Sequence, residues 1–135
     1  METNRILIET TIIIEYLRTR HRATITNFEK AIATFDECCL SVITVYEVEF
    51  GAARAGRISD LTNVLPCVEI LPIDRTVAEQ SARIHADLVA LNHEIGVKDV
   101  FIAATAMMNE LPLLTYNIKH FQCVSGLQVV SPPDM

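Results

Sequence analysis

The sequence predicts a three-layer α/β fold, in which helices cover both faces of a central parallel sheet of four to five strands. Short segments rich in Leu, Ile and Val alternate with longer segments of helical periodicity along the 135 residues. The short segments are apolar at nearly every position, which is typical of parallel strands buried on both faces. Isolated acids follow some of these segments. They would lie at the carboxyl edge of the sheet, where open α/β proteins bind their ligands.

The elements follow from local patterns, taken in order along the chain. Apolar runs bounded by acids, Pro or Gly predict strands at residues 5–8, 39–42, 68–71, 113–115 and 127–130. Helical spacing predicts a short helix that Thr10 or Thr11 caps and that ends near Leu17. Further helices are predicted at residues 23–35, 44–55, 59–65 and 76–91, and one more starts at Asp99. That last helix is apolar on nearly all sides, so we expect it to be central.

Bulk composition indicates one globular domain, spanning residues 1–135. Half of the residues are hydrophobic and 21% are charged, which argues against disorder. The apolar stretches are too short to span a bilayer, and the first residues do not lead into a signal peptide, so we expect a cytoplasmic protein with no membrane partner. The four cysteines (38, 39, 67 and 123) form no C-x-x-C pair, and we expect buried free thiols.

The net charge of −6 argues against a protein that holds nucleic acid by bulk electrostatics. It leaves room for an enzyme that contacts nucleic acid locally, through a metal ion and a few cations. The one dense basic run, at residues 18–22, is interpreted as a solvated helix end, where cations also suit the helix dipole.

Three acids and a polar segment fall just past predicted strands or at helix starts. Glu9 closes the first strand, Glu47 follows the second, and Asp99 opens the central helix, while Thr115 and Asn117 follow a later strand. In an open α/β sheet such positions converge on one crevice. Carboxylates gathered there repel one another unless a cation lies among them, and hard oxygen ligands suit Mg²⁺ or Mn²⁺. The pattern therefore predicts a metal-dependent site.

Four segments resemble the motifs of PIN-domain proteins, in order and at family spacing. They are residues 6–17 (ILIETTIIIEYL), 41–51 (SVITVYEVEFG), 95–106 (IGVKDVFIAATA) and 113–121 (LLTYNIKHF). Together they cover essentially the whole chain, and the third and fourth are the most specific. The VapC-type toxins of toxin–antitoxin pairs are the most similar group within the family.

The resemblance implies a PIN-like α/β/α fold and a Mg²⁺- or Mn²⁺-dependent endoribonuclease toxin of a type II toxin–antitoxin system. It implies RNA as substrate, a small cognate antitoxin as partner, and a homodimer. By matched position, Glu9, Glu47 and Asp99 would be the metal ligands, and with Asn117 they form the expected catalytic set. The resemblance further assigns Thr115 and Asn117 to positioning substrate or metal-bound water.

Each acid also has an ordinary structural interpretation. Glu9 could be a solvated strand end, and Asp99 a helix N-cap whose charge suits the dipole. On a helical wheel Glu47 falls on the polar side, whereas Glu49 falls among apolar residues. Periodicity alone would therefore single out Glu49, but the motif selects Glu47. We follow the motif and treat Glu49 as a candidate interface residue.

Two departures from the family pattern bear on activity. The first acid is normally Asp, followed two residues later by Asn or Ser, but here these positions hold Glu9 and Thr11. Mg²⁺ tolerates little deviation from octahedral geometry, and misplacement by about 1 Å can cost roughly a hundredfold in rate. His120 stands where many relatives have Asp or Glu, and it is either a neighbour of the metal or phosphate or a surface histidine.

Two other functions were weighed against the nuclease. One is a PIN fold that has lost efficient catalysis and binds an antitoxin or RNA. The other is a response-regulator receiver, which is disfavoured because the acids and lysine it needs after its strands are absent. We also expect the apolar helices at residues 12–17 and 23–35 to present a hydrophobic surface for homodimer formation.

Overall fold

A computed structural model describes residues 4–19 and 22–135. Five parallel strands form one sheet in the order β3-β2-β1-β4-β5. The strands are β1 (Arg5–Ile8), β2 (Glu37–Ser41), β3 (Glu69–Leu71), β4 (Leu113–Leu114) and β5 (Val129–Val130). The helices are α1 (Thr10–Thr19), α2 (Asn27–Thr34), α3 (Val42–Arg54), α4 (Arg75–Ala90), α5 (Val97–Met108) and α6 (Ile118–Phe121). The predicted parallel α/β sheet is confirmed, with β1 at its centre.

The two faces of the sheet are covered by different helices because side chains alternate along each strand. Leu7 of β1 packs in one core with residues of α4 and α5, while Ile6 and Ile8 pack in a second core with residues of α1, α2 and α3. All three β1 side chains have no exposed area. The central strand is therefore buried on both faces, which confirms the three-layer arrangement.

Two predicted helices differ from the structure. Residues 22–26 precede α2 as bends and irregular chain, because Thr26 and Glu29 form a capping box that fixes the start of the helix at Asn27. The predicted helix at 59–65 is wrong: the segment is made of turns, followed by a 3₁₀ turn at Leu65–Cys67. The short helix α6 was not predicted.

Most of the apolar surface of the N-terminal helices is covered within the chain. Ile12, Ile13 and Ala31 have no exposed area, and Phe28 is also buried, because α1 and α2 pack on each other and on the sheet. Ile25, just before α2, is 63% exposed, so the hydrophobic surface is smaller than expected, and the homodimer stays a prediction. Of the basic run, Arg18 is exposed in the last turn of α1, while Arg20 and His21 lie outside the described residues.

The cysteines are free, and the two on β2 are buried as expected. Burial raises the pKa of the Cys38 thiol to about 12, so it stays protonated. Cys67 is exposed and Cys123 is half-buried, against the expectation that all four would be covered. Within the described ranges, no helix combines the length and apolar character needed to cross a membrane.

Replacing Leu7 by Ala should lower the free energy of unfolding by about 2–5 kcal/mol, because it leaves a cavity between the central strand and α5. Urea denaturation measures the loss. The control is Leu91→Ala, since Leu91 is 65% exposed after α4, and it should change stability by less than about 0.5 kcal/mol. Equal losses in the two variants would contradict the central position of β1.

Candidate active site

The carboxylate of Glu9 is buried at the carboxyl end of the central strand, with only 3% of the residue exposed. Its Oε1 accepts hydrogen bonds from the hydroxyls of Thr11 at 2.5 Å and Thr115 at 2.6 Å. Its Oε2 accepts from the backbone N–H of Thr11 at 3.2 Å. The interpretation of Glu9 as a solvated strand end is therefore wrong. These donors, and the start of α1 beside them, stabilise a buried negative charge.

Thr115 connects Glu9 to the loop that follows β4. The residue has no exposed area, and its hydroxyl oxygen accepts the backbone N–H of Asn117 at 2.8 Å. A fully buried hydroxyl that already donates to Glu9 supports that carboxylate and does not face a substrate. Asn117 itself is exposed just before α6, on the rim of the same edge.

Glu47 lies in the second turn of α3, a helix that begins where Ser41 caps the end of β2. Its Oε1 accepts the hydroxyl of Thr10 at 2.8 Å. Thr10 and Thr44 hydroxyls are 2.9 Å apart, and since Thr10 donates to Glu47, Thr44 donates to Thr10. This relay fixes the Glu47 carboxylate against the first turn of α1.

Asp99 is the third residue of α5, and Gly96 holds the N-cap position, so Asp99 is not the cap. His120 of α6 lies 3.0 Å from it, between Nε2 and Oδ2. Burial raises the pKa of the Asp99 carboxyl above its usual value, and the nearby charge of Glu47 acts in the same direction, although His120 and Lys98 oppose it. Of the two interpretations of His120, the structure favours a site neighbour.

Glu49, the acid that periodicity singles out, has a structural role. Its Oε1 accepts the hydroxyl of Ser59 at 3.0 Å and the backbone N–H of Asp60 at 3.2 Å. These bonds fold the chain after α3 back onto the helix. They also account for the missing helix at 59–65, because the loop backbone bonds to a side chain of α3.

The structure places the three predicted acids at the carboxyl edge of the sheet but does not join them into one ligand cluster. Glu47 and Asp99 interact electrostatically, whereas Glu9 is bound by threonine donors. In the described part of the chain, no group of three or more His, Cys, Asp or Glu side chains is arranged to hold a metal ion. Glu47 and Asp99 nevertheless fit a hard divalent cation, since both offer carboxylate oxygens and the charge of Glu47 acts against that of Asp99.

Sequence reasoning missed several residues that build this edge. Thr10 and Thr44 orient Glu47, and a second network joins the loop after β4 to α1 and α2. In that network the hydroxyl of Tyr116 donates to Glu15, and Asn27 donates to both Tyr116 and Glu15. The two threonines that follow Glu9 could have been found from the sequence, because short hydroxyl side chains beside an acid can donate hydrogen bonds to it. The Tyr116 network could not have been found from the sequence, since its members are distant from one another along the chain.

A groove of about 500 Å³ opens beside the site, between α1 and α3. Glu47 forms part of its wall, next to the apolar side chains of Ile14, Leu17 and Val48. Charged side chains also line it, among them Arg18 and the Arg57–Asp60 pair, whose guanidinium and carboxylate are 2.7 Å apart. Glu47 is therefore accessible from solvent, although Glu9 is buried.

A protein family model described as the PIN domain matches residues 6–126. The chain belongs to the PIN domain family. Among its relatives, Ribonuclease VapC1 of Rickettsia felis is 29% identical in an alignment 133 residues long that covers 93% of this chain and 95% of the relative. The family model spans all four motif segments, and the Rickettsia felis relative is matched over nearly its full length.

Solved structures share the fold. The DNA-bound VapBC structure from Salmonella typhimurium superposes with a TM-score of 0.82 at 20% identity, over 97% of this chain and 99% of that chain. A toxin-antitoxin complex from Klebsiella pneumoniae gives a TM-score of 0.72 at 26% identity, over 96% of this chain and 99% of that chain. These similarities exclude the receiver alternative, because the PIN domain accounts for the fold and the matched length.

Replacing Thr115 by Val should lower the free energy of unfolding by about 1.5–3 kcal/mol, because a buried carboxylate loses a charge-assisted hydrogen bond without a change in side-chain volume. Urea denaturation at pH 7 measures the effect. The matched control is Thr62→Val at an exposed position, where no measurable loss is expected. A loss for Thr115→Val no larger than the control's would show that Glu9 does not depend on this hydroxyl.

Proposed function

We propose that this PIN domain is a metal-dependent endoribonuclease that serves as the toxin of a type II toxin–antitoxin system. The observation that carries the proposal is the pair of Glu47 and Asp99 at the carboxyl edge of the sheet, where burial, and after it the charge of Glu47, raise the pKa of Asp99. A nearby cation would relieve this repulsion. The ribonuclease name of the Rickettsia felis relative supports RNA as the substrate.

In this proposal Glu47 and Asp99 hold a divalent cation, Mg²⁺ or Mn²⁺, and Glu9 is the third acid of the set. When bound, such a cation supplies an activated water and neutralises charge on the phosphoryl oxygens. The protein's own contribution is orientation. Thr10 fixes Glu47, and His120 fixes Asp99. Asn117, exposed on the rim, is proposed to contact the substrate.

The second candidate function is a PIN fold that binds an antitoxin or RNA without efficient catalysis. One observation favours it: both carboxylate oxygens of Glu9 already accept hydrogen bonds from Thr11 and Thr115. A carboxylate held in this way competes poorly for a metal ion that demands near-ideal geometry. The two functions predict different effects on cleavage when the Glu9 side chain is shortened to Asp.

The proposed partners are RNA, a small cognate antitoxin and a second copy of the chain. The Klebsiella pneumoniae neighbour is a toxin-antitoxin complex, which supports the antitoxin. The homodimer rests mainly on the family resemblance, since most apolar side chains of the N-terminal helices first considered for it are covered within the chain. Sedimentation velocity at micromolar concentration distinguishes a dimer from a monomer.

Asp99→Asn should abolish most Mn²⁺ binding, because it removes one of the two interacting carboxylates, and should lower RNA cleavage by at least about a hundredfold. Calorimetric titration should give a millimolar or tighter dissociation constant for the unmodified chain, with Mn²⁺ bound better than Mg²⁺. The matched control is Asp87→Asn on the exposed side of α4, which makes the same charge change and should leave both quantities unaltered. Unchanged binding heat in Asp99→Asn would refute the assignment.

Glu9→Asp should raise metal-dependent cleavage by about ten- to a hundredfold, because a side chain one methylene shorter is drawn back toward the position that the family normally uses. Mn²⁺ affinity should rise in parallel. Glu9→Gln is the control, since it keeps the length and removes the charge, and it should not gain activity. If neither cleavage nor Mn²⁺ affinity rises in Glu9→Asp, the binding-module function is favoured.

A further inference from the structure

Tyr116 lies beside the candidate site, in the loop between β4 and α6, and its ring is held in a fixed position. The residue is 45% exposed, yet its hydroxyl donates to Glu15 and accepts from the side chain of Asn27. Its backbone N–H donates to the hydroxyl oxygen of Thr11 at 3.4 Å, and that hydroxyl donates to Glu9. The part of the Tyr116 side chain left for a ligand is therefore the apolar ring.

The phenol of Tyr116 stays protonated at neutral pH and so keeps its hydrogen bond to Glu15. Burial raises the pKa of Tyr116, and the hydrogen bond to Glu15 acts in the same direction, while the bond from Asn27 opposes it. The ring is therefore fixed before a ligand arrives. A fixed side chain loses little conformational entropy on binding, which favours its use as a contact surface.

A polar cleft of about 320 Å³ adjoins this network, between α1 and the start of α2. Glu15 and Asn27, which hold the Tyr116 hydroxyl, also line the cleft. Along the axis of α1, Glu15 lies about 6 Å and Thr19 about 12 Å from Thr11, at 1.5 Å per residue. The longer span corresponds to about three stacked nucleotides at roughly 3.4 Å each. A strand whose phosphate lies at the acids therefore reaches the cleft by passing Tyr116.

Two cations line the cleft and have no carboxylate partner among residues 4–19 and 22–135. Arg22 and Lys30 are both exposed and form no ion pair in these ranges. The carboxylates of Glu15 and Glu29 accept hydrogen bonds from neutral groups of the protein. The net charge of −6 provides no general attraction for RNA, so local cations have to hold the strand near the acids.

The lining of the cleft favours a nucleic-acid strand over a protein as its occupant. Apart from Ile25, the lining side chains carry hydroxyl, amide or charged groups, which are the usual hydrogen-bond partners of phosphate and ribose. The core of a protein–protein interface is instead depleted of charged residues. An aromatic ring followed by cations is the arrangement that binds single-stranded nucleic acid, because the ring stacks on a base and the cations follow the backbone.

We propose that Tyr116 and the adjoining cleft bind the single-stranded stretch of the RNA substrate beside the cleaved bond. One base stacks on the Tyr116 ring, and Arg22 and Lys30 contact the phosphates of the nucleotides that follow. Glu15 and Asn27 are positioning residues, since they act by holding the ring. The proposal rests on the proposed ribonuclease function and adds a substrate-binding surface to it.

The experiment compares two strands that differ in whether they carry bases. One is a fluorescein-labelled unstructured RNA of 12 nucleotides, and the other has 1-deoxyribose in place of every nucleoside, so that it keeps the sugars and phosphates. Each is titrated at low salt with Asp99→Asn protein in EDTA, and fluorescence anisotropy gives the dissociation constant. On this background Tyr116→Ala should weaken RNA binding by about tenfold, because a stacking surface is lost, and abasic-strand binding by less than about twofold. Tyr116→Phe keeps the ring and should bind RNA within about threefold of the parent.

The cations should affect the two strands alike, since both strands carry the phosphates. Arg22→Gln and Lys30→Gln should each weaken binding of both, and each should reduce the slope of log affinity against log salt concentration by about 0.7, the value for one phosphate contact to a single strand. The matched control is Arg83→Gln, an exposed position of α4, which makes the same charge change and should leave affinity and slope unaltered. Circular dichroism checks that each variant is folded.

The outcomes separate this proposal from the proposed function. A loss in Tyr116→Ala that is confined to the strand with bases supports the proposal even if the chain shows no cleavage. Equal losses for the two strands show that the ring serves only the local structure, and they overturn it. Unaltered RNA affinity in Tyr116→Ala and Lys30→Gln also overturns it, and the ribonuclease proposal then stands or falls with cleavage by the unmodified chain. If Tyr116→Ala retains RNA affinity but sediments as a monomer where the parent is a dimer, the face binds a second copy and the proposal is wrong.

Discussion

The burial of the Glu9 carboxylate at the end of the central strand is the interaction on which the organisation of this edge depends. Glu9 ends β1, its oxygens accept hydrogen bonds from the first turn of α1, and Thr115 reaches it from the end of β4. A buried carboxylate without such donors would be strongly destabilising. A single charged group therefore joins the adjacent β1 and α1 to the end of β4, which is more than 100 residues away in the chain.

Hydroxyl groups orient the carboxylates at this edge. Thr11 and Thr115 serve Glu9, and Thr10 serves Glu47 with Thr44 behind it. A hydroxyl donor fixes a carboxylate without neutralising its charge, so the negative potential remains. The imidazole of His120 lies 3.0 Å from Asp99 and lowers its pKa, whereas burial and the charge of Glu47 raise it. This balance of fixed position and retained charge is what a cation site requires.

The sequence predicted the fold well where elements are long or buried on both sides. β1 and the starts of α4 and α5 lie within two residues of their predicted positions, because apolar runs and periodicity report burial directly. Prediction failed where side-chain bonds override local propensity. The Thr26–Glu29 capping box starts α2 four residues late, and Glu49 holds residues 59–60 in a loop instead of a helix. The Glu49 bonds join residues ten or more positions apart, so no short window of sequence encodes them, whereas the capping box is a local T-x-x-E pattern that the helical periodicity overrode.

The sequence by itself determined the fold class and the positions of three acids at one edge, since both follow from strand ends in a parallel sheet, and its four motif segments carry the PIN resemblance. Only the tertiary structure decided how the acids are related: the charge of Glu47 acts on Asp99, while Glu9 is bound by threonine donors. It also decided that Lys98 of α5 lies over Tyr46 of α3. The relations between α3 and α5 depend on how these helices pack, and they are more than 40 residues apart in the chain. A shift of a few ångströms in that packing would decide whether their side chains share one site.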